Sequence, residues 1–210
     1  HLDGEILTLS YMLAATRPHT IFRQTYSNMV NFPVSYTSYD QNTRERFTEH
    51  TFQIDYVRPF GKHHKIESGT KYILRYNNST SLMDYQGTTP NMESKFKHNA
   101  QVAAAYLSYI LTAGKWAARA GLRYEFTRMK ASYPDGSNAD YHANLNDWVP
   151  SASLQYKISD SQTLKFSYNT SINRPGIGYL NPAIISTPTA VSFGNANLGS
   201  SRNQKLQLVY

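Results

Sequence analysis

Trp116-Ala117-Ala118-Arg119-Ala120-Gly121-Leu122-Arg123-Tyr124-Glu125-Phe126 decides how the rest of the chain is read. Its even-numbered residues are uncharged throughout, and Arg119, Arg123 and Glu125 all fall on the odd-numbered ones. Side chains of a strand point alternately to two faces. One face of this segment is therefore free of charge, and the other carries both signs.

The same period of two recurs along the chain. In 163–172, Leu164, Phe166, Tyr168 and Ile172 oppose Lys165, Ser167, Asn169 and Ser171. In 148–158, Trp148, Ala152, Leu154, Tyr156 and Ile158 oppose Ser151, Ser153, Gln155 and Lys157. Ile66, Tyr72, Leu74 and Tyr76 oppose Lys65, Glu67, Lys71 and Arg75; Phe52, Ile54 and Tyr56 oppose Glu49, Gln53 and Asp55. Leu7, Leu9, Tyr11 and Leu13 oppose Thr8 and Ser10. Segment 98–111 alternates less cleanly, 19–28 is marked only by Phe22 and Tyr26, and a last run places Leu206, Leu208 and Tyr210 together. This predicts about nine strands.

The connections are expected to sort by length. Short ones fall at Ala15–Pro18, Arg58–His63, Thr112–Lys115 and Ser159–Ser161, and long polar ones at 31–46, 79–97, 134–147 and 174–202. Short turns at one end and long loops at the other are the pattern of an outer-membrane barrel. Lys or Arg on a barrel's lipid face costs about 2–4 kcal/mol at the midplane, which explains the missing charge. A soluble β-sandwich also alternates, but its inner face would be a packed core. Heavy use of Tyr and Ala, together with strands longer than the usual 5–6 residues or so, favours lipid.

Composition agrees. The 210 residues are 40% hydrophobic with mean hydropathy −0.55, and no run approaches the length of a membrane-spanning helix. The 17 Tyr, against 9 Phe and 2 Trp, suit surfaces that are half apolar and half wet. With no cysteine, disulfides and thiolate chemistry are excluded. No secretory leader is visible at the N-terminus. The net charge of +7 would suit nucleic acid, yet Lys and Arg are scattered singly and are read as solvated or lumen-facing. An odd strand count and open edges in lipid predict that residues 1–210 form part of one larger barrel domain.

The residues then resemble a family, the outer-membrane β-barrel domain of TonB-dependent receptor-like proteins from Bacteroidetes. The resemblance runs over nearly the whole chain: Thr51-Phe52-Gln53-Ile54-Asp55-Tyr56 before Pro59, Glu67 to Arg75, Ala104-Ala105-Tyr106, Ala120 to Glu125, and Val149-Pro150-Ser151-Ala152. Its most specific part is Arg174-Pro175, then Leu180-Asn181-Pro182, then Gly194-Asn195-Ala196-Asn197-Leu198. Ala196 departs from a usual Pro, and Gly199-Ser200-Ser201 from a usual acidic position. The resemblance implies a barrel of about 22 strands, with a plug domain and a TonB-contacting segment as partners, import of a nutrient, and a possible surface lipoprotein. No Ser–His–acid or paired-carboxylate arrangement can be assigned from the residues, so no enzyme and no cofactor are expected. A passive pore and a soluble β-sheet binding domain are the alternatives.

Few residues suggest chemistry. Tyr133, Tyr179 and Phe193 are candidate ligand contacts on extracellular loops; the alternative, which is favoured, is that Arg174 and Asn181 merely fold the 174–202 loop back against the barrel rim. His63-His64 reads as a solvated turn rather than a metal site, and His50, His98 and His142 are scattered. Asp135-Gly136 and Asn77-Asn78 read as turn chemistry. The sequons at Asn78 and Asn169 read as chance, and Gly176-Ile177-Gly178 lacks the third glycine of a nucleotide loop.

Overall fold

The computed structural model describes residues 4–31, 34–180, 185–186, 191–195 and 197–210. Among these, β1 (Ile6–Thr16), β2 (His19–Thr25), β3 (Tyr36–Phe60), β4 (His64–Gly87), β5 (Met92–Ala113), β6 (Trp116–Ser132), β7 (Tyr141–Lys157) and β8 (Thr163–Asn173) precede a single helical turn, α1 (Ile177–Leu180). A small ribbon of β9 (Ile185–Ser186) and β10 (Val191–Ser192) follows, then β11 (Ser201–Val209). The long strands form one antiparallel sheet of nine segments in the order β1-β3-β4-β5-β6-β7-β8-β11, with β2 also on β3. It is all-β and up-and-down, as the alternation predicts. β1 with β2 forms one edge and β11 the other.

Ala15–Pro18 is not a turn. The register runs unbroken from Thr16↔Phe47 in β1 to His19↔Arg44 in β2. The Glu45 amide still donates to the Pro18 carbonyl at 2.9 Å. Proline has no N–H to return that bond, so one ladder bond is missing and a single long strand reads as two.

The long polar connections are also shorter than expected. β3 starts at Tyr36, β4 runs to Gly87, β5 starts at Met92 and β7 at Tyr141. Most of 31–46 and 79–97 is therefore strand. Asn77-Asn78 lies inside β4, opposite Phe47 and Arg46, rather than in a turn. Beyond the membrane both faces of a ribbon meet water, so the ladder continues where the apolar alternation stops. Asp135-Gly136 is a turn: Gly136 has φ 72°, and Asp135 accepts from the Ser137 amide at 3.1 Å and from the Lys95 amide at 2.7 Å. These donors pull the Asp135 carboxyl down to about 2.

The registers place all charge-free positions on one face. One row reads Leu9, Ile54, Thr70, Ala105, Tyr124, Trp148, and another Leu7, Tyr56, Ser68, Leu107, Leu122, Pro150. This face is bare: Leu9 is 69% exposed, Leu107 57% and Trp148 52%. By contrast Thr51, Val102, Ser108, Glu125, Thr127 and Asp147 on the charged face are buried. Side chains converge on a concave surface and splay on a convex one, so the sheet bends toward its charged side. A soluble sandwich would do the reverse, burying the apolar face and wetting the charged one.

Gly69 shows how tightly the concave wall is packed. A Cβ there would lie 2.5 Å from Tyr106 Cε1, 2.6 Å from Asp55 Oδ1 and 2.7 Å from the Ile54 carbonyl oxygen. The missing side chain lets the Tyr106 ring cross β4 and donate its hydroxyl to Asp55 at 2.7 Å. Gly69→Ala is expected to destabilise the fold by about 1–3 kcal/mol through overpacking. Heat-modifiability on gels should show a lower unfolding temperature; an unchanged one would refute this close approach.

Candidate functional site

The concave face of β3–β8 and the loop 174–200 together form the candidate site. Several charges on this wall are paired in place. Arg75 pairs with Glu49 on the neighbouring strand. Glu67 takes Lys65 at 2.7 Å and Arg119 at 2.9 Å. Gln53 joins Tyr106 on Asp55, donating at 2.7 Å.

The strongest cluster lies where β6 meets β7. Glu125 and Asp147 sit directly opposite each other, and like charges so placed repel. Both are nearly buried, at 8% and 3% exposure. Arg174, just past the end of β8, resolves the conflict by reaching back between them. It donates to Glu125 and lies 3.5 Å from Asp147, while Arg123 holds Glu125 at 2.5 Å. From the other end of the loop, Ser200 donates to Asp147 at 2.8 Å. Both ends of the loop are thus tied to one carboxylate.

The end of α1 then lies against the wall. Leu180 is wholly buried in a cluster with Ala100 and Met129, flanked by Tyr141, Ala143 and Leu145. These partners explain why 98–111 alternates poorly: Ala100 and Val102 are apolar on the charged side because part of that side is covered. Within the loop, Asn195 donates its backbone amide to the Tyr179 carbonyl at 2.7 Å and accepts from the Asn197 amide at 3.0 Å. Arg174 and Asn195 of the expected loop motif therefore have structural roles. Pro175 is half-buried after Arg174, Gly194 is also half-buried, and Leu198 stays exposed. Asn181 and Pro182 lie outside the described residues.

Of the candidate ligand contacts, Tyr179 and Phe193 project from this loop at 72% exposure each. Tyr133 instead belongs to the β6–β7 connection, with its ring 5.4 Å from that of Phe96. Sequence reasoning did not find a second aromatic group, Tyr26, Tyr36, Tyr39 and Tyr85, on the concave side of the strand extensions. Its rings lie 4.7 Å (Tyr36–Tyr85) to 6.0 Å apart. Burial pushes Tyr36 and Tyr85 up from their ordinary pKa, so their hydroxyls remain protonated. Below them Gln41, Thr43 and Ser81 form an uncharged hydrogen-bonded trio. The signal for this group was the Tyr excess, but its assembly needs the register of β2, β3 and β4.

The sequence matches the outer membrane protein beta-barrel family over residues 2–210. The chain belongs to that family. A Gram-negative outer-membrane location follows, with the bare convex face against lipid and the charged face toward the lumen. Solved structures share the fold of this family member. The unliganded ferric citrate transporter FecA matches with TM-score 0.67 and 11% identity, over 97% of this chain and 29% of that one. The siderophore receptor PiuA from Acinetobacter baumannii matches with TM-score 0.65 and 15% identity, over 98% and 35%. The ferric yersiniabactin uptake receptor FyuA from Yersinia pestis matches with TM-score 0.58 and 12% identity, over 96% and 30%. The chain thus spans about a third of the length of each. Among curated protein sequences there is no significant match.

Proposed function

We propose that this chain is the barrel portion of a TonB-dependent receptor that imports a nutrient across the outer membrane. Its partners in that role are outer-membrane lipid, a plug domain inside the barrel and the TonB complex. The role is transport rather than catalysis. The observation that carries the reading is the concave wall, on which several charges are paired in place and to which residues 174–180 and Ser200 are fastened. A wall of this kind suits a lumen filled by protein, whereas a wide passive pore leaves its wall to water and ions. The likeness in fold to transporter and receptor barrels supports the same reading. Tyr179, Phe193 and Tyr133, with the Tyr36–Tyr39–Tyr85 group, are the proposed ligand contacts, since aromatic rings supply broad contact area at low entropic cost.

Planar-bilayer recordings on the full-length protein from outer membranes test this. Little ion conductance is expected from the native protein, with open steps appearing once urea displaces the plug. Large, steady open steps without urea would mean a passive pore.

A further inference from the structure

Lipid does not account for one asymmetry of charge. In the extensions of β3, β4 and β5 beyond the membrane, water meets both faces, so neither face is barred from carrying charge. Over 39–47, 77–85 and 92–98 the convex face nevertheless carries Asp40, Arg44, Arg46, Asp84, Glu93, Lys95 and Lys97, and the concave face only Glu45. His98 adds no charge to the concave face at neutral pH, since burial and the nearby Arg75 push its pKa down. Arg44, Arg46, Lys95 and Lys97 thus form a belt turned away from the lumen. The next cation down the concave side of β4, Arg75, is already bound to Glu49. An anionic ligand is recognised by charge-assisted bonds from Arg or Lys. This part of the wall offers it none, and the Glu45 carboxylate repels it.

What the wall does offer is hydroxyl groups. Thr20, Thr43, Ser81 and Ser94 pair in sequence across β2–β5 as one row, about 14 Å long at a strand spacing of about 4.8 Å. Gln41 donates to Thr43 at 3.3 Å and to Ser81 at 3.0 Å. Its own side-chain oxygen, and the hydroxyls of Thr20, Ser79 and Ser94, make no hydrogen bond among the described residues. Glu45, opposite Ser79 just below the row, has no basic partner among them either. A hydroxyl both donates and accepts, so the row matches a ligand that does the same. Two rings flank it at opposite ends: Phe22, opposite Gln41 and 46% exposed, and Phe96, opposite Ser79. A face built to pack against protein would be more apolar at its centre.

We infer that this wall is a subsite for an uncharged, hydroxyl-rich ligand, a neutral oligosaccharide, with its hydroxyls on the Thr20–Thr43–Ser81–Ser94 row and its C–H faces on Phe22 and Phe96. The inference rests on the importer reading above and names the cargo by its chemistry. The same wall disfavours an anionic iron chelate.

The full-length protein in nanodiscs is screened against an array of neutral oligosaccharides, with polygalacturonate and ferric citrate alongside, and the tightest array member is titrated by calorimetry. Saturable binding of a neutral oligosaccharide and none of the two anions is expected. Gln41→Ala with Ser81→Ala should weaken it about tenfold or more, and Arg46→Gln, on the convex side, should leave it unchanged. Phe22→Ala should weaken it to a similar degree by removing an exposed ring, which keeps the test open if the double variant folds poorly. Failure of every neutral oligosaccharide to bind, tighter binding of either anion, or undiminished affinity in both the double variant and Phe22→Ala overturns the inference. The bilayer recordings keep the two readings apart. A barrel that binds the oligosaccharide but conducts steadily without urea refutes the importer and upholds the subsite, and a closed barrel that binds no neutral oligosaccharide refutes the subsite alone.

Discussion

Leu122→Lys should destabilise the folded barrel by about 2–4 kcal/mol in lipid vesicles, while Thr8→Lys should change it by less than about 1 kcal/mol. Leu122 stands in the row with Leu107 and Pro150, and Thr8 is beside Leu7 in the same row but points to the other face, opposite Asp55. The two substitutions introduce the same cation in adjacent ladder rows. Hydrocarbon offers it no hydrogen bonds, whereas the lumen side offers water and the Asp55 carboxylate. Leu122→Phe separates lipid from a packed core. Added volume in a core costs about 1–3 kcal/mol, but a fluid hydrocarbon phase accommodates it with little change. Urea unfolding followed by the fluorescence of Trp116 and Trp148 reads all three. Equal losses for Leu122→Lys and Thr8→Lys, or a large loss for Leu122→Phe, would refute the assignment of faces.

Arg174→Ala should release the loop without unfolding the sheet. Removal leaves Glu125 and Asp147 facing each other, nearly buried, with only Arg123 to screen one of them. Breaking a buried pair by deleting one partner costs about 3–5 kcal/mol. The lower end applies because Arg174 keeps 24% of its side chain exposed. The ladder of β8 and β11, from Ser201↔Asn173 to Val209↔Lys165, does not depend on this contact. The loss therefore falls on the attachment of 174–200 and on the seat of Leu180. Limited proteolysis of the protein in vesicles should show new cleavage within 174–200, with the heat-modified gel shift retained. Arg174→Lys should protect only partly, because one ammonium cannot match a planar fork set between two carboxylates. Combining Arg174→Met with Glu125→Gln and Asp147→Asn should restore much of the protection, since no unpaired charge is then left behind. If Arg174→Ala leaves the cleavage pattern unchanged, the loop is held by Leu180 and Ser200 instead.

How far the sequence could be read depended on what each segment touches. Trp116 to Phe126 was legible because lipid on one side and water on the other impose opposite demands on alternate residues. The extensions of β3, β4 and β5 were not, because residues such as Asn77, Asn78, Ser79 and Thr80 have water on both sides and carry no contrast. Pro18 misled for a related reason: proline marks turns far more often than it interrupts a long strand. In the loop, Arg174 and Asn195 stood out as motif residues, but their partners Glu125, Asp147 and Tyr179 lie 49, 27 and 16 positions away in the chain.

The order of amino acids alone thus determined which side of the sheet meets hydrocarbon, because that choice is written residue by residue as the presence or absence of charge. Only the tertiary structure decided where strands continue past the membrane, which acids Arg174 bridges, and that scattered lysines and arginines line up as a belt. Those outcomes depend on the register between strands, and register brings together residues that the chain keeps dozens of positions apart.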